Sequence, residues 1–169
     1  MALYLLANGA AGTTAAPVKV TTGTAIKTML QFVASATIAA KIVEWGCSFD
    51  GSTAATPGAV ELVETDVAAT VTAHVTAGIT KYDADALVGG DPTTNLIQVG
   101  AALTGYSASA EGTSTVARLF DLQLIAGTNQ YVKQFPLGRE PLLQTGKFLR
   151  VRMTFAAAIN AYCYIIVSI

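Results

Sequence analysis

Between Lys41 and Gly51 the sequence KIVEWGCSFDG alternates apolar and polar residues with a period of two. Val43, Trp45, Cys47 and Phe49 fall on one phase; Glu44, Gly46, Ser48 and Asp50 fall on the other. A helix would scatter those apolar residues round its surface, whereas a strand collects them on one face. The segment therefore reads as a half-buried strand, ended by a turn at Asp50-Gly51. Trp45 shares the apolar phase, so it reads as a core residue rather than a sugar-stacking platform.

The rhythm returns in KFLRVRMTF, introduced by a turn at Gly146. Leu149, Val151, Met153 and Phe155 are expected to point inward, and Arg150, Arg152 and Thr154 outward. From Ala161 to Ile169 both phases are apolar, with Cys163, Ile165 and Val167 on one and Tyr162, Tyr164 and Ile166 on the other. Such a strand lies centrally in its sheet or is covered by a neighbouring subunit. Weaker strand patterns span Ile26 to Val33, Ala59 to Glu64, Asn95 to Gly100, Val116 to Ile125 and Tyr131 to Phe135, with a short one near Tyr106 to Ala110. About eight strands separated by turn residues predict an all-β, jelly-roll-like β-sandwich over residues 25–169.

Residues 1–24 read as an irregular N-terminal arm, rich in Gly, Thr and Ala around Pro17. The stretch Thr65 to Gly78 is ambiguous. Thr65 or Asp66 suits the cap of a short helix, while the Val and Thr content argues equally for a strand. It runs into KYDADALVGGDPTTN, a polar loop expected to project toward a partner.

Composition bears on function. Only 12% of the 169 residues are charged, against roughly 25% in an average soluble domain. Hydrophobic residues make 52%, and mean hydropathy is +0.50. An exterior this poor in charge favours self-association and points to a subunit partly covered by partners; a GC-rich coding sequence would also enrich Ala and Gly. The net charge of −1 without any basic run argues against nucleic acid, and the scattered Lys and Arg argue against an anionic membrane. No signal or membrane-spanning pattern is read, so a soluble, unexported chain is expected. Cys47 and Cys163 each take the apolar phase of their strand, which favours two buried thiols over a bridge.

No pattern for chemistry emerges. His74 is the one histidine, and no GxSxG elbow accompanies it, so a surface or interface role is expected. Asp83, Asp85 and Asp91 lack the offsets and closing Glu of a calcium loop. No phosphate-binding glycine motif is present. No catalytic residue, cofactor or metal site is predicted. FPLGREP, Phe135 to Pro141, reads as a proline-framed turn, with Arg139 and Glu140 as candidates for an intersubunit ion pair. Tyr82, Tyr162 and Tyr164 complete the candidate partner-contact residues.

At KIVEWGCSFDG, FPLGREP and the closing GKFLRVRMTF and AYCYIIVSI strands, the sequence resembles a family of small β-sandwich virion proteins of tailed bacteriophages. The resemblance covers most of the chain and implies a head decoration, or cement, protein. It implies a homotrimer bound to the major capsid protein on the capsid exterior, assembled in the host cytoplasm. The family supplies no catalytic residue. Two other expectations stand beside it: a tail or baseplate structural protein, with residues 79–95 bridging subunits, and a receptor- or carbohydrate-binding jelly roll, which would need an exposed aromatic pair.

Overall fold

The computed structural model describes residues 2–9, 18–52, 56–75, 78–82 and 96–169. They form two antiparallel sheets packed face to face. The strands are β1 (Leu3–Ala7), β2 (Val20–Thr21), β3 (Lys27–Val33), β4 (Ala40–Asp50), β5 (Gly58–Thr65), β6 (Thr70–Ala73), β7 (Thr80–Lys81), β8 (Gly105–Ala110), β9 (Ala117–Ile125), β10 (Gln130–Gln134), β11 (Leu142–Leu143), β12 (Phe148–Thr154) and β13 (Asn160–Ser168). The first sheet has the order β10-β4-β13-β1-β7, with β11 added to β4 and β2 to β13. The second runs β6-β8-β3-β12-β5-β9. Successive long strands such as β3, β4 and β5 alternate between the sheets, which is the jelly-roll habit.

The core follows the alternation. Trp45, Cys47, Cys163, Ile165 and Val167 from the first sheet meet Leu30, Phe32, Leu149, Val151 and Met153 from the second, all buried. Half-buried Phe49 closes one end edge-to-face on Phe155, with centroids 5.0 Å apart. β13 is central, as its doubly apolar sequence predicted.

Several expectations are corrected. Val43 is not in the core phase. Glu44 pairs with Ile166 but Ile42 pairs with Val167, so Val43 is the extra residue of a β-bulge. The bulge flips the phase and turns Ile42 and Ala40 inward. The N-terminal arm is also shorter than residues 1–24. Leu3–Ala7 is a full strand paired along β13, and its Tyr4 and Leu6 are buried. Val20 and Thr21 pair with β13 as well, while residues 10–17 lie outside the described set. The segment after Thr65 contains no α-helix among the described residues, and its Thr70–Ala73 portion is a strand. Leu96–Gly100 makes single bridges at Ile97 and Val99 rather than a strand.

The largest correction is Arg150. It points away from the core, as expected, yet is only 1% exposed. The chain around Val67 and Glu111 passes over the outer face of the second sheet and covers it. Arg150 Nη2 donates to the carbonyls of Val67 and Glu111, both at 2.8 Å, and Nε donates to Gln31 Oε1 at 3.2 Å. Gln31, also buried, accepts from Ala69 N (2.8 Å) and donates to Leu103 O (2.6 Å). Glu111 lies 3.5 Å from Arg150 Nη1 and accepts from the Thr28 hydroxyl at 2.6 Å. A buried guanidinium thus fastens two crossing segments to the sheet. Burial lowers the Arg150 pKa, and the Glu111 charge opposes that shift.

Removing the guanidinium takes one donor from the Glu111 carbonyl, the Val67 carbonyl and Gln31 Oε1, while Thr65 Oγ1 still serves Val67 O and Thr28 still serves the Glu111 carboxylate. Arg150→Met is expected to cost about 2 kcal/mol in urea unfolding through these lost hydrogen bonds; a loss below ~0.5 kcal/mol would show that the crossing segments hold without it.

Candidate functional site

Among the described residues, no three or more of His, Cys, Asp and Glu are grouped to hold a metal ion, and no helix is long and apolar enough to cross a membrane. A cleft of about 540 Å³ lies at one end of the sandwich between the β4–β5 and β12–β13 connections. Thr21, Asp50, Ser52, Thr56 and Asn160 are its polar lining among the described residues, and Asp50 is ion-paired to Lys19. Within that lining, the Thr21 hydroxyl donates to Asn160 Oδ1 at 3.1 Å.

The ionisable groups inside the fold are occupied structurally. His74, expected at the surface or an interface, is instead 2% exposed. Its Nε2 lies 2.8 Å from the Ala7 carbonyl, which makes Nε2 the protonated nitrogen, and its ring packs edge-to-face on Tyr106. It ties the β6 end of the second sheet to the β1 end of the first. Burial lowers its pKa, against a smaller upward pull from that carbonyl. On the opposite flank Asp121 joins the sheets. It accepts from the Tyr131 hydroxyl (2.8 Å), Gln123 Nε2 (3.1 Å) and Leu122 N (3.0 Å), and faces Lys133 Nζ at 3.1 Å. Burial raises the Asp121 pKa, but these hydrogen bonds and the Lys133 charge outweigh it. Burial and Asp121 together push the Tyr131 phenol up to about 12. With its acceptors filled, Asp121 serves as a clamp.

The surfaces hold more information. On the outer face of the first sheet, Val132, Gly46, Tyr164 and Ala7 form one cross-strand row, and Glu44, Ile166 and Leu5 form the next. Tyr164 lies over Gly46, where an added Cβ would come within 2.7 Å of the ring. The glycine is therefore required by the aromatic that covers it. The Tyr164 hydroxyl donates to Glu44 Oε1 at 2.6 Å. Burial, then Glu44, raises its pKa, with smaller contributions from Tyr82 and Tyr162. Tyr82 is 53% exposed and Tyr162 41%. The three predicted tyrosines thus converge on one face, which their spacing in sequence did not reveal.

Arg139 and Glu140 lie elsewhere. Arg139 ends, and Glu140 follows, the turn Pro136–Arg139, closed by a hydrogen bond from Arg139 N to Pro136 O (2.9 Å) with Gly138 at φ +80°. Adjacent β11 pairs at Lys41, whereas Tyr162 pairs at Ser48, roughly 23 Å further along β4 at strand rise. Glu140 faces Lys41 of its own chain at 4.0 Å, and backbone amides near Gly138 and Glu140 together with Lys41 hold its carboxyl below the usual range. Arg139 makes no ion pair among the described residues. Asp83, Asp85 and Asp91, and most of the 79–95 loop, lie outside the described set.

Sequence reasoning missed the flank where β9, β10 and β11 meet. β9 is an edge strand of nine residues. Its outward side chains Leu119, Leu122 and Leu124 are 49–76% exposed. Arg118, which could screen them, instead reaches Glu64 at 2.7 Å and the Leu142 carbonyl. On the strands that border it, Val132 on the outer face of the first sheet and Leu142 of β11 are half-exposed, and Leu137 on the proline-framed turn is 96% exposed. Leu119 and Leu122 are three residues apart, so strict alternation would put them on opposite faces; the register shift opposite Leu62 and Val63 brings Leu119 onto the face of Leu122 and Leu124, and such a shift leaves no mark in the sequence.

No protein-family model matches the chain, and no curated protein and no solved structure resembles it significantly.

His74 gives a pH test. Its folded pKa lies below the unfolded value of about 6.5, so the unfolded chain binds more protons as pH falls through that value. The stability it supports is complete above pH ~6.5 and declines below, by at most about 1.4 kcal/mol per pH unit. Thermal midpoints measured from pH 7.5 to 5.5 should fall, and His74→Gln should flatten that slope; an unchanged slope would remove His74 from the account.

Proposed function

We propose that this chain is a structural subunit that acts by surface contact within a larger assembly, and specifically a small β-sandwich virion protein of the head decoration type. The observation that carries the reading is the β9–β11 flank. A nine-residue edge strand that pairs with β5 on one side only among the described residues, and carries three exposed leucines, is a template for association; solitary proteins blunt such edges with charge or proline. Here Arg118 of the same strand is drawn away to Glu64, and Leu137 stands exposed on the turn that follows β10. Copies sheltering this flank against one another or against the major capsid protein gain roughly 25 cal/mol per Å² of apolar area, before association costs. Repetition over a lattice multiplies a modest contact through avidity. The virion assignment itself rests on the sequence resemblance. The sandwich is compatible with it.

A second reading has one observation in its favour. Tyr82, Tyr162 and Tyr164 share an open sheet face, as a glycan-stacking platform would require. Tyr164, however, is committed to Glu44 through its hydroxyl and to Gly46 through its ring.

Purified protein imaged in negative stain and sized by light scattering should appear as discrete trimers. The Leu122→Glu, Leu137→Glu double variant should keep the β-sheet circular dichroism spectrum and become monomeric. Tubes or hexameric rings would move the chain to the tail, and a wild-type monomer at all concentrations would refute the assembly reading.

A further inference from the structure

Two residues left unused by any surface reading face each other in the core. Cys47 on β4 and Cys163 on β13 are direct cross-strand partners, and both are free and buried. The hydrogen bonds define which kind of pair they form. Cys163 N donates to Asn8 Oδ1 at 2.9 Å, and Cys163 O accepts from Asn8 N at 2.9 Å. Both backbone groups of Cys163 thus turn toward the β1 side, away from β4. Cys47 and Cys163 are therefore a non-hydrogen-bonded antiparallel pair, the kind in which Cα atoms approach to about 4.5 Å and side chains come closest. That separation lies at the short end of the 4.4–6.8 Å range that disulfides span. Trp45–Ile165 is the next inward pair along the same two strands, so both thiols point into the interior from one face.

We propose that Cys47 and Cys163 are a disulfide-forming site, closed by exchange with a low-molecular-weight disulfide, which locks β4 to β13 covalently. The Cys47 thiolate attacks one sulfur of glutathione disulfide, whose S–S bond breaks and releases one glutathione thiolate. The Cys163 thiolate then attacks the Cys47 sulfur of the mixed disulfide. The Cys47–Cys163 bond forms and the second glutathione thiolate leaves. The two protons given up by the cysteines match those taken up by two glutathiones, and the protein's two electrons pass to the oxidant. Burial pushes the Cys47 thiol up to about 12 and raises Cys163 as well, so thiolate is scarce in the closed fold. Exchange consequently runs while the chain folds or when the sandwich opens, and is slow in the native state. The cysteines stand 116 positions apart, so the bond restrains most of the unfolded chain.

The test refolds the reduced full chain with glutathione disulfide, alkylates free thiols and maps peptides. The expected product is an intramolecular Cys47–Cys163 species, lighter by two hydrogens than the reduced chain. Its thermal midpoint should be higher by roughly ten degrees, a gain reversed by reductant and absent in Cys47→Ser and in Cys163→Ser. Alkylation of both cysteines after oxidative refolding, bonds only between chains, or a midpoint lowered by the bridge would each overturn the proposal. The peptide map reads the wild-type chain alone, so it stands even where a serine variant folds poorly.

Discussion

The pairing of β4 with β13 is the constraint on which the rest of this structure depends. These strands of eleven and nine residues lie side by side in the middle of the first sheet. Their inward phase supplies Trp45, Cys47, Cys163 and Ile165 to the core, and their outward phase supplies Glu44, Gly46, Tyr162 and Tyr164 to the surface. A slip of one residue would exchange those sets, exposing Trp45 and burying Glu44. The bulge at Val43 lets the pairing continue past Glu44, so that Ile42 and Ala40 still reach the interior. The neighbouring strands are added to this pair: β1 beside β13, with Asn8 replacing a missing backbone acceptor, and β10 and β11 beside β4.

The polar interior complements that apolar frame. Arg150 and Gln31 fasten crossing chain to the outside of the second sheet, His74 closes one flank of the sandwich, and Asp121 closes the other. Each of these groups serves by holding separate segments at fixed distance. Such ionisable groups resemble a site when viewed singly, because burial shifts their pKa values. Viewed with their partners they are fasteners, and the surface becomes the place to look for function.

What the sequence made legible follows from where its signals are unambiguous. Trp45 and Cys47 alternate with Gly46 and Ser48 so regularly that strand, face and burial could all be read. The last two strands were equally clear. A bulge leaves no compositional mark, so Val43 and Ile42 exchanged roles unseen. Leu3–Ala7 lacks polar alternation and precedes a Gly- and Ala-rich run, which hid a core strand inside an apparent arm. Arg150 was assigned the correct face, but its burial depends on Val67 and Glu111, which are distant in sequence. The contact residues show the same division. Tyr82 and Tyr162 meet only through the order of strands in the sheet, and Glu140 finds Lys41 only through the pairing of β11.

An exterior short of charge and a leucine-bearing edge lead to the central claim that this sandwich is a part whose flank is meant to be covered. Hydrogen exchange compared between dilute and concentrated protein tests it most directly. The account predicts that amides of 117–125 and 136–142 become protected as concentration rises, while β4 and β13 exchange slowly throughout. Equal and rapid exchange along β9 at every concentration would contradict it.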